Sequence, residues 1–113
     1  MAYKYRIIKE AKQDIEDIVN HISTVSCNPE AAVDFLNEFD RKMDIVCENP
    51  KIGTIVTNEF FIRDNVRRII VKNYYVYYFI DDQNKTINVM RVVYNRRDQF
   101  VILSSIVSDD LNH

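Results

Sequence analysis

Arginine and tyrosine are the residue types with most chemistry to offer in this chain of 113 residues. Six of the eight arginines lie between residues 63 and 97, and five of the seven tyrosines share that stretch. Arg67 and Arg68 adjoin in a β-branched run, Arg91 sits among Ile87, Val89 and Val93, and Arg96 and Arg97 directly follow Tyr94. Guanidinium forks match phosphate oxygens bidentately. Rings such as Tyr74, Tyr75, Tyr77 and Tyr78 offer faces on which bases stack. The set suits phosphate binding, or RNA cleavage in which phosphate charge is stabilised and a 2′-hydroxyl is activated. The competing reading is structural. The arginines then pair with acidic helices or with Asp81, Asp82 and Asp98, and the tyrosines pack a sheet.

Other chemistries are poorly served. His21 and His113 are far from the arginines in sequence, and Glu59 is the only glutamate near the basic runs. No nucleophile elbow, catalytic serine triad, phosphate-binding loop or dinucleotide fingerprint is present. Cys27 and Cys47 form no CxxC pair, and the two histidines do not complete a four-ligand set with them. No metal, cofactor or disulfide is therefore expected.

The positioning elements follow from hydrophobic period. Residues 3–9 alternate and favour a strand. Ala11, Ile15, Ile18, Ile22 and Val25 then recur at helical spacing. Asn28-Pro29 predicts an N-cap with proline at the first helical position. A second stripe runs Ala32, Phe35, Leu36, Phe39, Met43, Val46, Cys47 and stops at Asn49-Pro50. Residues 51–65 hold the only glycine, Gly53, and read as a connector. Three strand-like runs follow at Val66–Val71, Tyr74–Ile80 and Thr86–Tyr94, the last with Ile87, Val89 and Val93 on one face. The order β-α-α-β-β-β predicts an α+β fold, with a helical hairpin on one face of a small antiparallel sheet and the first strand at an edge. Phe100–Val107 suits a short helix capped by Asp98 or a strand, and the helix is favoured.

Net charge is −2, which argues against a generic nucleic-acid binder. The sum conceals two halves. Residues 10–48 carry ten acidic and three basic side chains, whereas residues 63–97 carry eight basic and three acidic ones. One surface thus suits an anionic partner. The charged, alternating N-terminus is not a signal peptide, and no apolar run reaches the roughly 18 residues of a membrane helix. A cytoplasmic location with no membrane contact is expected.

In order along the chain, several segments resemble the RelE/ParE superfamily of type II toxin–antitoxin toxins, which includes plasmid-stabilisation toxins. They are Tyr5-Arg6-Ile7-Ile8 with Ala11…Asp14-Ile15, Pro29-Glu30-Ala31-Ala32 with Phe35, Asn49-Pro50-Lys51-Ile52-Gly53, Arg67-Arg68-Ile69 with Asn73-Tyr74-Tyr75-Val76-Tyr77-Tyr78, and Arg91-Val92-Val93-Tyr94-Asn95-Arg96-Arg97-Asp98. The resemblance spans residues 3–98. It implies a toxin domain over residues 1–98, with 99–113 either part of that domain or ordered by an antitoxin. It also implies a growth-inhibiting toxin neutralised by a cognate antitoxin, with DNA contacted only through that antitoxin.

The superfamily divides between gyrase inhibitors and ribosome-dependent mRNA endonucleases. For a nuclease, the resemblance implies catalytic positions for Arg67 or Arg68, for Arg96 or Arg97, and for Tyr94. For a gyrase inhibitor they become target contacts, joined in either case by Arg91, Tyr75 and Tyr77. Tyr75 stands where nucleases of the family often carry a basic residue, and the chain is mildly acidic, so the gyrase reading is favoured. A non-toxic interaction module of the same fold is the remaining alternative.

Overall fold

The structure, a computed structural model, describes residues 3–56 and 65–95. The elements are β1 (Lys4–Ile7), α1 (Lys9–Asn20), a π-helical turn (His21–Val25), α2 (Pro29–Glu48), a 3₁₀ turn (Pro50–Ile52), β2 (Thr54–Ile55), β3 (Val66–Val71), β4 (Tyr74–Asp81) and β5 (Thr86–Tyr94). The five strands form one sheet in the order β1-β5-β4-β3-β2, with both helices packed on it. This is the expected α+β fold. β1 does lie at an edge, but it runs parallel to β5, so the sheet is mixed.

Local chemistry accounts for the element boundaries. The Asn28 side chain accepts the Ala31 amide at 3.1 Å, which caps α2 ahead of Pro29. Ala32, Phe35, Phe39, Met43, Val46 and Cys47 of the α2 stripe are buried, while Leu36 remains 39% exposed at its margin. The α1 stripe behaves differently. Ile15, Ile18 and Ile22 pack against the core, but Val25 is exposed. The π-helical turn adds backbone per hydrogen bond and rotates Val25 off the helix face. Cys27 then takes a positive φ of 50° and turns the chain toward α2.

The last strand departs from simple alternation. Its buried apolar set is Ile87, Val89 and Val92, not Ile87, Val89 and Val93. Tyr77 pairs with Arg91 while Tyr78 pairs with Val89, so Met90 is an extra residue opposite the Tyr77/Tyr78 step. This β-bulge inverts the side-chain parity beyond it. Arg91 therefore shares the row of Tyr77 instead of the core face occupied by Ile87 and Val89.

The connector also contains structure. β2 pairs Thr54 with Arg68 and Ile55 with Arg67. Gly53 leads into it under the ring of Tyr78, whose hydroxyl accepts the Gly53 amide at 3.0 Å and donates to the Pro50 carbonyl at 2.7 Å. Tyr78 is fully buried, and these two bonds satisfy its polar end. A Cβ on Gly53 would lie 2.5 Å from that hydroxyl and 3.0 Å from the Arg68 carbonyl.

Candidate functional site

The registers sort the candidate residues onto two faces. Tyr78, Val76 and Tyr74 of β4 face the helices, so their cross-strand partners Arg67, Ile69 and Val71 do as well. Tyr75 and Tyr77 point the other way, in rows with Ile70 and Arg68 on β3 and with Val93 and Arg91 on β5. Arg67 and Arg68 thus face opposite sides, as adjacent strand residues must.

On the outer face, the Arg68 guanidinium lies 4.3 Å from the centre of the Tyr75 ring. Tyr75 meets Tyr77 edge to face with ring centres 6.2 Å apart. This cationic, aromatic strip can receive an anionic or planar partner. β1 extends the same face. Tyr5 turns inward to Asp40 and Phe39, so Arg6 turns outward in register with Asn88. The period-2 alternation of residues 3–9 carries that signal, although Arg6 lies far in sequence from the arginine-rich stretch.

Arg67 is committed elsewhere. One of its Nη atoms donates to the carbonyls of Lys51 at 3.1 Å and Gly53 at 2.7 Å. It fastens the 3₁₀ turn to β3, alongside the Tyr78 hydroxyl. Burial raises the Tyr78 pKa, so its hydroxyl stays protonated and keeps donating.

Arg91 is committed to α1. Asp14 accepts its Nε at 2.7 Å and its Nη2 at 2.9 Å, and the same carboxylate takes the Val92 amide at 3.0 Å. The pairing of β1 ends at Ile7–Val89, so the flank of β5 beyond it is covered by this carboxylate. Donating to the Asp14 carboxylate raises the Arg91 pKa above its ordinary value. For Arg91, the structural reading of the sequence, pairing to an acidic helix, is the one realised. Asp14 itself reads in sequence only as part of a polar helix face. The signal for it was Arg91, a mid-strand charge in need of a partner.

Tyr94 faces the helices and not the arginine strip. Its ring packs edge to face on Tyr74 at 5.4 Å, and Tyr74 packs on Phe35 at 5.1 Å. Tyr94 is 43% exposed and lines a cavity of about 610 Å³ with Tyr74, Ile18, Ile22, Asp17 and His21. The fold therefore brings His21 to Tyr94 across a long sequence separation. Arg96, Arg97, Asp98, Glu59 and the tail from residue 99 lie outside the described residues. Among the described residues, no cluster of His, Cys, Asp and Glu is arranged to hold a metal ion. No helix there is long and apolar enough to cross a membrane.

Comparison with known proteins agrees with this architecture. The chain of a chromosomal ParDE system from P. aeruginosa superposes with a TM-score of 0.64 at 16% identity, over 82% of this chain and 96% of that one. A chain of the RelBE2 toxin–antitoxin complex from Mycobacterium tuberculosis gives 0.57 at 20% identity, over 83% and 99%. The isolated E. coli RelE toxin gives 0.58 at 16% identity, over 96% and 98%. These likenesses concern the fold. No curated protein sequence matches significantly. The model of the family described as the ParE toxin of the type II toxin–antitoxin system parDE matches residues 5–99. That match takes in the helical hairpin and every strand from β2 to β5, and the chain accordingly belongs to the ParE toxin family of type II toxin–antitoxin systems.

Proposed function

We propose that this toxin arrests growth by inhibiting DNA gyrase and that a cognate antitoxin neutralises it in the cytoplasm. The observation that carries the target reading is the engagement of the arginines. Arg67 is spent on the carbonyls of Lys51 and Gly53, and Arg91 is spent on Asp14. Tyr94 stands on the opposite face of the sheet from Arg68. A nuclease needs phosphate-neutralising and proton-transferring groups converging on one reacting phosphate. The described candidates diverge instead, which suits a binding surface built on Arg68, Tyr75 and Tyr77. The family match to a ParE toxin supports the same reading. Residues 1–98 form the toxin domain in this proposal, with 99–113 completing it or ordered by the antitoxin.

A second reading keeps ribosome-dependent mRNA cleavage, since the RelE toxin of E. coli shares the fold and Arg96 and Arg97 adjoin Tyr94 in sequence. One experiment separates the two. The protein is induced in a susceptible host, and mRNA 5′ ends and plasmid supercoiling are measured in the same cells. Lost supercoiling with intact mRNA is expected. New 5′ ends within translated codons would replace the gyrase reading with the nuclease one. Undisturbed growth would leave an interaction module.

A further inference from the structure

β3 is covered by β2 along only part of its length. The pairing joins Thr54 to Arg68 and Ile55 to Arg67. The Val66 carbonyl accepts the Val56 amide at 2.9 Å, so Val66, Arg68 and Ile70, alternate residues of β3, turn their main-chain groups to this edge. Ile70 lies past the last β2 pair, because the chain before Thr54 turns away at Gly53, whose amide goes to the Tyr78 hydroxyl. Among the described residues, the Ile70 N–H and C=O meet no partner on this side. An uncovered strand edge is a template for one more strand.

A groove adjoins the uncovered edge. It is a cavity of about 300 Å³ between α2 and β3, lined by Lys42, Ile45, Ile52, Thr54, Arg68 and Ile70 among others. Ile52 and Ile70 are 50% and 43% exposed, which leaves apolar surface in water. No acidic side chain lines the groove. The nearby acids of α2 are engaged elsewhere. Asp40 accepts the Tyr5 hydroxyl, and Asp44 acts on the same tyrosine. Glu38, which feels Lys42, is matched by a cation of its own, since Arg41 binds it at 2.7 and 3.0 Å. Neither Lys42 nor Arg68 forms an ion pair among the described residues. Arg68 rests on the Tyr75 ring, which carries no net charge to balance it. The groove is therefore apolar in its walls and cationic at its rim.

We propose that the β3 edge at Ile70 takes an extended acidic segment of a partner protein as an added strand. Strand alternation fixes which side chain goes where. The segment's residue opposite Ile70 exchanges both main-chain bonds with it and shares the outer face with Arg68, so a carboxylate at that position reaches the guanidinium diagonally. The residues on either side point to α2, where Ile45 and Ile69 receive branched apolar side chains and Lys42 adds a second cation. Main-chain bonds supply affinity and the alternate side chains supply specificity. The site does not depend on which target the toxin takes.

The test is a titration of the isotope-labelled full chain with a capped five-residue peptide carrying glutamate between two isoleucines, followed by amide NMR shifts. The amides of Ile45, Thr54 and Ile70 are expected to move. A peptide with lysine in place of the glutamate is expected to bind about tenfold more weakly. N-methylation of the central peptide residue, which removes the hydrogen bond to the Ile70 carbonyl, is expected to abolish binding. Equal binding of either altered peptide would overturn the proposal. So would shifts confined to Tyr5 and Arg6 at the opposite edge, or no shift at about 10 mM peptide. Two rival occupants have their own signatures. An Ile70 amide that shifts on dilution of the free chain would give the edge to a second copy. Broadening of that amide by a spin label at Ser108→Cys, in a Cys27→Ser background, would give it to the chain's own C-terminal segment. Either result would overturn the proposal.

Discussion

Gly53 and Tyr78 are built against each other: the Gly53 amide donates to the Tyr78 hydroxyl at 3.0 Å, and a Cβ on Gly53 would meet that same oxygen at 2.5 Å. Gly53→Ala is therefore expected to destabilise the protein by about 1–3 kcal/mol through overpacking. Tyr78→Phe leaves the Gly53 amide and Pro50 carbonyl without their partner and is expected to cost about 1–3 kcal/mol. Phenylalanine also removes the oxygen that alanine strikes. The double variant should then cost less than the two single changes together, as read by urea unfolding. Strict additivity would show that the contact does not exist in solution.

The Asp14 carboxylate holds Arg91 and the Val92 amide at once. Asp14→Ala is expected to cost about 1–3 kcal/mol, mostly through the orphaned Val92 amide. Arg91→Ala should cost less than about 1 kcal/mol, since half of its side chain is exposed and water screens the pair. Asp14→Asn keeps an acceptor for Val92 and should fall between them. Thermal unfolding of the three variants orders these costs, and an Arg91 effect larger than the Asp14 effect would contradict the geometry.

Neighbouring arginines should separate stability from toxicity. Arg67→Ala releases the carbonyls of Lys51 and Gly53 and is expected to lower stability by about 1–2 kcal/mol. Arg68→Ala removes only an exposed-face contact with Tyr75, worth about 0.5–1 kcal/mol. Its main effect should be on growth arrest. Co-expression toxicity measured beside chemical unfolding distinguishes the two. Full toxicity in the Arg68 variant would remove that residue from the working surface.

Tyr5 makes the fold sensitive to alkali. Burial, followed by its hydrogen bond to Asp40, pushes its pKa up to about 12 from 10.0. The folded state holds this proton more tightly than the unfolded chain does. The contribution is therefore intact below pH 10 and is lost as pH rises from 10 toward about 12. Urea midpoints should fall across that window, and Tyr5→Phe should flatten the fall. An unchanged slope in the variant would place the alkaline transition on other groups.

The sequence alone determined both helices, the strands β1, β3, β4 and β5 and their order along the chain. Each rests on period, capping and turn chemistry that a few neighbouring residues impose: the Ala32–Cys47 stripe, the Asn28-Pro29 cap, and the Val66–Val71 and Tyr74–Ile80 runs. Tertiary structure decided which side each arginine serves. One extra residue at Met90 moves Arg91 to the other face, because side chains alternate with a period of two. The tight approach of Gly53 to Tyr78 turns Arg67 into a fastener of the adjoining turn. The parallel docking of β1 on β5 aligns Arg6 with Asn88 and leaves the neighbouring flank of β5 for Asp14. These relations join residues distant in the chain. They depend on register and packing, which local residue preferences do not encode.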